Sequence, residues 1–287
     1  MPTNIERDEL DIPVVEPRMV VTDRELGDWA QWMRAAGRPG STIGLRTYHV
    51  RRVMREIDAS PWTLTTKELV AYLASKGWAA ETRRSYRASL RAFYSWAQAT
   101  GRRADSPAHL IPPIKLPRAI PRPTPEPVFL EALAIADDRD RLMLMLAGFC
   151  GLRRGEIARA RREDVEEDLL GQVLRVHGKG GHERHVPLPE PLARALLACP
   201  PGWIFPSSQR ANHLTAAHVG VLVSRLLPEG WTCHTLRHRC GTVAYGAGGR
   251  DLRAVQELLG HAKPETTARY TQIPSSAVRE AMLAAAG

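Results

Sequence analysis

The chain has 287 residues, 44% of them hydrophobic, with a formal charge of +9 and a pI of about 9.8. That length supports two domains with separate cores, and the charge favours an anionic partner, nucleic acid or a membrane surface, over a neutral one. Cys150, Cys199, Cys233 and Cys240 form no CxxC pair, which argues against a zinc ribbon or a disulfide framework. No signal-like run opens the sequence and no run of about twenty apolar residues could span a bilayer, so a cytoplasmic protein without a membrane contact is expected.

Residues 1–20 mix acids with three prolines and carry no helical or strand period, so they read as a flexible tail. From Thr22 the signals change. Thr22 with Glu25 makes a capping box before a helix that stops at Gly37, and Ser41 is placed to cap a second. In the second, Val50, Val53, Met54 and Ile57 follow the helical spacing while Arg46, Arg51, Arg52 and Arg55 fall elsewhere. Thr65 with Glu68 opens a third helix, ended by Gly77. A fourth runs from about Glu81 to Thr100, with Tyr86, Leu90, Phe93 and Ala97 on one face and Arg83, Arg84, Arg87 and Arg91 around the other. This predicts a helical domain over 21–105. Fifteen basic against eight acidic residues lie within 20–105, a concentration that fits phosphate contact, although basic faces also simply keep a bundle soluble.

Prolines every few residues, with basic residues among them, make 106–122 an extended linker. The second domain, 123–287, is mixed. A helical period runs from Phe129 to the ARARRED stretch with a break at Gly151. LLGQVLRVHGKGGHERHVPLP then alternates as a short hairpin whose turn is Gly178 to Gly181. Helices return with PLARALLAC, with LTAAHVGVLVSRLL capped by Thr215, and with the stretch from His234 to Tyr270. The fold class expected is mainly α with a small β-hairpin or sheet: a helical domain followed by a mixed α+β domain.

Chemistry-bearing residues crowd the second domain. His234 and Arg237 stand one helical turn apart, His261 follows the helix-ending Gly260, and Tyr270 comes nine residues later. Arg153 follows a glycine in CGLRRGEI and Lys179 sits at the tip of the hairpin. Singly each has a bland reading: Arg153 as a helix-end salt bridge to Glu156, Lys179 as a solvated turn residue, Tyr270 as a half-buried helix tyrosine. His234 and His238 could ligate a metal, but no third ligand has a suitable spacing. The order and spacing of all six carry the information.

GLRRGE at 151, GKGGHERHVPL at 178, HTLRH at 234, LLGH at 258 and RYT at 269 resemble, in this order, the motifs of the tyrosine recombinase (phage integrase) family. The resemblance implies a core-binding helical domain and a catalytic domain of the tyrosine recombinase type. It also implies a catalytic set of Arg153, Lys179, His234, Arg237, His261 and Tyr270. A phenol with a pKa of about 10 is a weak nucleophile unless cations meet its charge or a base takes its proton. The resemblance assigns Arg153 and Arg237 to the non-bridging phosphate oxygens, His234 to the tyrosine proton, His261 to a phosphate oxygen, and Lys179 to the departing 5′ oxygen. The product is a 3′-phosphotyrosyl enzyme, for which neither ATP, a metal nor another cofactor is required.

The implied partner is double-stranded DNA, contacted by Arg46, Arg51, Arg83, Arg84, Arg87 and Arg91. The implied assembly is a homotetramer at a Holliday junction, in some members with an excision factor. The acidic tail is too short for an arm-binding domain, so the chain is most similar to a compact phage integrase or a Xer-type member. A final helix capped by Ser275 or Ser276, with Val278, Met282 and Leu283 apolar, is expected to dock on the neighbouring protomer; packing in cis or a degradation signal are its alternatives. A type IB topoisomerase shares this chemistry, and an inactive DNA-binding regulator would share the fold. A histidine phosphatase would need an early RHG, which is absent.

Overall fold

The computed structural model describes residues 23–117, 121–178, 181–209 and 212–260. The expected tail, the capping Thr22, the closing helix after Ser275, and Lys179, His261 and Tyr270 lie outside the described residues. The chain divides into two compact units, within 1–118 and 119–287.

The first unit packs α1 (Asp23–Ala35), α2 (Gly40–Ile57), α3 (Thr66–Ser75) and α4 (Ala80–Ala99) around an aromatic core. The spacing 86, 90, 93, 97 on α4 puts Tyr86, Leu90, Phe93 and Ala97 on one buried face, and Phe93 meets Trp29 of α1 edge-on at 5.2 Å. The Thr65–Glu68 capping box forms, with the Thr65 amide donating to Glu68 Oε2 at 2.8 Å. Ser41 does not cap. Helix α2 begins two residues earlier, at Gly40 behind Pro39, whose carbonyl accepts from the Thr42 and Ile43 amides, so Ser41 lies inside the first turn.

The arginines of α2 and α4 divide into two groups. Arg51 and Arg84 are exposed and, among the described residues, pair with the surface carboxylates of Asp23 and Glu81. Arg46 and Arg83 are half-buried. Arg87 and Arg91, both half-buried, donate to the backbone carbonyls of Ile111 and His109 at 2.9 and 3.4 Å. Ala108 and Ile111 are buried in the same core, and Thr66 donates to the Pro107 carbonyl at 2.8 Å. The first residues of the proline-rich stretch are therefore part of the helical unit rather than extended linker. Prolines deny the stretch a ladder of its own, and its carbonyls take side-chain donors instead.

The second unit contains α5 (Glu126–Ile135), α6 (Asp138–Gly148), α7 (Arg154–Ala158), a 3-10 turn at Arg162–Asp164, strands β1 (Val165–Asp168), β2 (Gly171–His177) and β3 (Glu183–Pro187), and helices α8 (Glu190–Leu197), α9 (Ala216–Arg225), α10 (Cys233–Ala247) and α11 (Leu252–Leu259). The strands form one antiparallel sheet in the order β1-β2-β3, with Leu174 opposite Val186 and His177 opposite Glu183. The β2–β3 hairpin follows the alternation. Strand β1 has a single apolar residue in VEED, so the pattern could not show it. The long helical period breaks at Asp137 as well as Gly151, because the Asp137 carboxylate accepts from the Asp140 amide and starts α6. Thr215 caps α9, accepting from the His218 amide. Among the described residues no helix is long and apolar enough to cross a membrane.

Helix α6 lies at the centre, with Met143, Leu144, Leu146 and Ala147 fully buried. Helix α10 is fastened to it through Arg239. That buried guanidinium donates to the Gly148 carbonyl at 2.9 Å and to both oxygens of Glu126 at 2.8 and 2.7 Å, and it stacks over Phe129 at 4.3 Å. Arg239→Ala is expected to lower the unfolding free energy by roughly 3 kcal/mol in a urea titration, through lost charged hydrogen bonds and lost packing. Glu126→Ala should cost less, because its side chain is 51% exposed and water replaces it; equal losses would refute this account of the pair.

Candidate active site

Leu146 to Glu156 shows how the sequence builds one wall of the site. Gly151 has φ +63°, and a Cβ there would lie 2.4 Å from Leu259 Cδ2 and 3.0 Å from Cys240 Sγ, so only glycine turns the chain at this point. The turn puts Arg153 immediately ahead of α7. One helical turn later Glu156 points into the protein, 5% exposed. Its two oxygens accept from Arg153 Nη1 at 2.7 Å, from the Arg153 amide at 2.9 Å, and from Arg184 of β3 at 3.2 and 2.9 Å. Burial alone would push this carboxyl upward; the hydrogen bonds and charge of Arg184, joined by those of Arg153, outweigh it and hold the group at about 2.

The same arginines close the end of α11. Its last carbonyls have no partner within the helix. Arg184 Nε takes that of Leu258 at 3.0 Å, Arg237 Nη2 takes that of Leu259 at 2.6 Å, and Arg153 Nη2 takes that of Gly260 at 3.1 Å. Three cations at a helix C-terminus also oppose the negative end of its dipole. Gly260 ends the helix in the left-handed region at φ +61°, where a Cβ would lie 2.9 Å from Arg184 Cδ. Arg237 is 3% exposed, and its Nη1 also donates to the Gly151 carbonyl, so this one guanidinium joins the turn before α7 to the end of α11.

Helix α10 brings His234 and Arg237 to the same place. Thr232 caps it, accepting from the His234 amide, and the buried Thr235 hydroxyl accepts from Thr124 Oγ1 at 2.8 Å, which fixes the helix start. Arg153, Arg154, His234 and Arg237 line a cleft of about 910 Å³ together with Ala217 and Gly220 of α9. His234 is exposed in it, its ring 4.4 Å from that of His238. Among the described residues these histidines belong to no group of three or more His, Cys, Asp or Glu able to hold a metal ion. Burial pushes the thiols of Cys150 and Cys233 up to about 12 and that of Cys240 up to about 11, which keeps them protonated and unreactive.

Three of the six residues singled out in the sequence, Arg153, His234 and Arg237, thus share one cleft. Lys179, His261 and Tyr270 lie outside the described residues. The sequence points to Glu156 only as a salt-bridge partner of Arg153 and gives no role to Arg184. Both are fixed letters of the motifs GLRRGE and GKGGHERHVPL, so spacing marked them, but their pairing across 28 residues of sequence is tertiary. Arg154, beside Arg153, also faces the cleft, against Gly220.

The depressed carboxyl of Glu156 has a consequence for acid stability. Its folded value, about 2, lies below the usual 4.5, so its contribution is complete above 4.5 and is lost as pH falls through about 2. Glu156→Gln should therefore be less stable than the wild type near neutral pH, by on the order of 3 kcal/mol. The gap between the two urea midpoints should shrink below pH 4.5; a constant gap would mean that the charge of Glu156 is not what matters.

The model of the phage integrase family matches residues 127–276, more than half of the chain. The chain is 32% identical to tyrosine recombinase XerC of Corynebacterium glutamicum over 272 residues, covering 85% of each protein. It is 29% identical to tyrosine recombinase XerA of Pyrococcus horikoshii over 279 residues, covering 93% of this chain and 95% of the relative. In fold it is similar to the XerH site-specific recombinase in a post-cleavage complex with a palindromic difH substrate. The TM-score is 0.70 at 21% identity, over 91% of this chain and 84% of that one. The matched block contains the cleft, the hairpin and the buried Glu156 that joins them, and the chain belongs to the phage integrase family of tyrosine recombinases.

Proposed function

We propose that the chain breaks one strand of duplex DNA with the Tyr270 hydroxyl. The protein is a tyrosine site-specific recombinase and its partner is double-stranded DNA; the topoisomerase and inactive-regulator readings are not favoured. The phenol oxygen bonds to the scissile phosphorus as the bond to the 5′ oxygen breaks, leaving a 3′-phosphotyrosyl link. Arg153 and Arg237 meet the two non-bridging oxygens and the charge that builds on them in the transition state. His234 takes the phenol proton, His261 donates to a phosphate oxygen, and Lys179 protonates the departing 5′ oxygen. A 5′ hydroxyl from a second duplex reverses the step, because the phosphotyrosyl link keeps the phosphodiester energy.

The observation that carries this reading is the convergence of Arg153, His234 and Arg237 on one cleft, with Arg237 held rigidly on two carbonyls. A guanidinium fixed before the substrate arrives needs no reorganisation as charge develops. We further propose a cytoplasmic homotetramer in the synaptic complex. In it the segment after Ser275 docks on the neighbouring protomer, and an excision factor directs the reverse reaction in those settings that need one. The helical domain of 21–105 holds the duplex through Arg46, Arg51, Arg83 and Arg84. Arg87 and Arg91, already donating to carbonyls, support that surface.

A DNA duplex nicked near the cleavage point traps the covalent intermediate. The wild-type chain is expected to form the adduct, and Tyr270→Phe to bind DNA equally well without forming it, since only the attacking oxygen is lost. An adduct in that variant would make another residue the nucleophile. Exchange between two sites on one plasmid, rather than relaxation alone, then reports recombination.

The two groups of arginines in the helical domain should separate in a salt titration of DNA binding. Arg84→Ala is expected to reduce the slope of log K against log salt by about one, one phosphate contact's worth. Arg87→Ala should leave the slope nearly unchanged and lower the melting temperature instead. The reverse pattern would exchange their roles.

A further inference from the structure

The hairpin β2–β3 ends on an imidazole held from both sides. His177, the last residue of β2, pairs across the hairpin with Glu183. Its Nδ1 lies 2.8 Å from Glu183 Oε1 and its Nε2 3.0 Å from Asp164 Oδ1. Asp164 belongs to the 3-10 turn before β1, is 3% exposed, and also accepts from Arg175 Nη2 at 3.2 Å. An ionised carboxylate only accepts hydrogen bonds, and a neutral imidazole has a single N–H to give. With a carboxylate oxygen facing each ring nitrogen, both bonds form only when His177 is the doubly protonated cation.

The remaining charged groups around the ring keep this arrangement in place. Arg175 is also paired with Glu166 of β1 at 3.3 Å, and Glu166 lies 3.4 Å from His185 of β3. Arg159, at the end of α7, donates to the His177 carbonyl at 3.3 Å. Glu156, Arg159, Asp164 and Arg175 line the small recess under the ring. The hydrogen bond to Asp164, against a smaller opposing effect of burial, raises His177 above its usual 6.5. When the proton is lost, one of the two bonds goes. Asp164 is buried, where losing a hydrogen bond to a carboxylate costs more than at the half-exposed Glu183, so Glu183 is the end that releases.

What this clasp spans is the base of a turn. The Gly178 amide donates to the His182 carbonyl at 2.7 Å, and a Cβ at Gly178 would stand 2.8 Å from that oxygen. Lys179 comes next in the sequence, two residues after His177. We propose that His177, clasped as an imidazolium between Asp164 and Glu183, is a positioning residue that fixes the base of the Lys179 turn and so makes protonation of the leaving oxygen sensitive to pH through a group other than the acid. His177 acts through Lys179, so it has this role only if Lys179 is that acid.

The test compares cleavage by the full-length chain of two nicked DNA substrates, one with the ordinary 5′ oxygen and one with a 5′-bridging sulfur, which leaves without a proton. Lys179→Ala gives the reference, with the oxygen substrate slowed by about a hundredfold or more and the sulfur substrate spared. His177→Leu is expected to slow the oxygen substrate about tenfold, the effect of one charge-assisted hydrogen bond, and to spare the sulfur substrate, which also shows that the variant is folded. In the wild type the oxygen-to-sulfur rate ratio should be full below pH 6.5 and fall as pH rises through the raised value of His177. That step should be missing in His177→Leu. Glu183→Gln, a surface change that leaves Asp164 in place, should move the step to lower pH. Equal slowing of both substrates by His177→Leu, survival of the step in it, or an unmoved step in Glu183→Gln overturns the clasp. Equal slowing of both substrates by Lys179→Ala removes Lys179 from the acid role and the clasp with it, an outcome read in a different variant.

Discussion

The buried carboxylate of Glu156 is the point on which the second unit's site is assembled. Taking a carboxylate out of water costs several kcal/mol, and it persists only where charged donors surround it. Here the donors are Arg153, from the turn ahead of the same short helix, and Arg184, from the hairpin. Each also reaches a carbonyl at the end of α11, so a single anion sets the relative positions of α7, β3 and α11. Arg237 completes the frame from α10 through the carbonyls of Gly151 and Leu259. The frame explains why the two glycines at its corners are in the left-handed region: a side chain at either would occupy the space where these groups meet.

This arrangement changes how the basic character of the chain should be read. A charge of +9 suggests cations waiting for phosphate, yet many arginines are already spent on the protein. Arg184, Arg237 and Arg239 are largely buried on carboxylates or carbonyls, and Arg87 and Arg91 bind the proline-rich stretch to the helical unit. A planar guanidinium with five donors can hold a backbone carbonyl and a phosphate together, whereas an ammonium offers only a point charge. Arg153 is such a dual case, bonded to Glu156 and Gly260 while its side chain remains 45% exposed to the cleft. The bland reading of Arg153 as a salt bridge to Glu156 and its reading as a phosphate ligand therefore describe the same geometry.

Sequence alone determined what depends on local spacing. The Thr65–Glu68 box, the Thr215 cap, the buried face of α4 and the β2–β3 hairpin are each written within a few residues, because capping bonds and helical or strand periods act over that range. The ordered motifs around Arg153, Lys179, His234, Arg237, His261 and Tyr270 identified the family for the same reason: each is a short, contiguous run. What only the tertiary structure decided were the partners of charged groups. Glu156 finds Arg184 across 28 residues, Arg237 finds Leu259 across 22, and Arg239 finds Glu126 across 113. Nor could the sequence show strand β1, with one apolar residue, or the capture of Pro107 by α3 and of Ile111 by α4. An arginine reads the same in sequence whether it faces water, a carboxylate or a carbonyl, since its charge is local but its desolvation and its partner are set by which elements pack together.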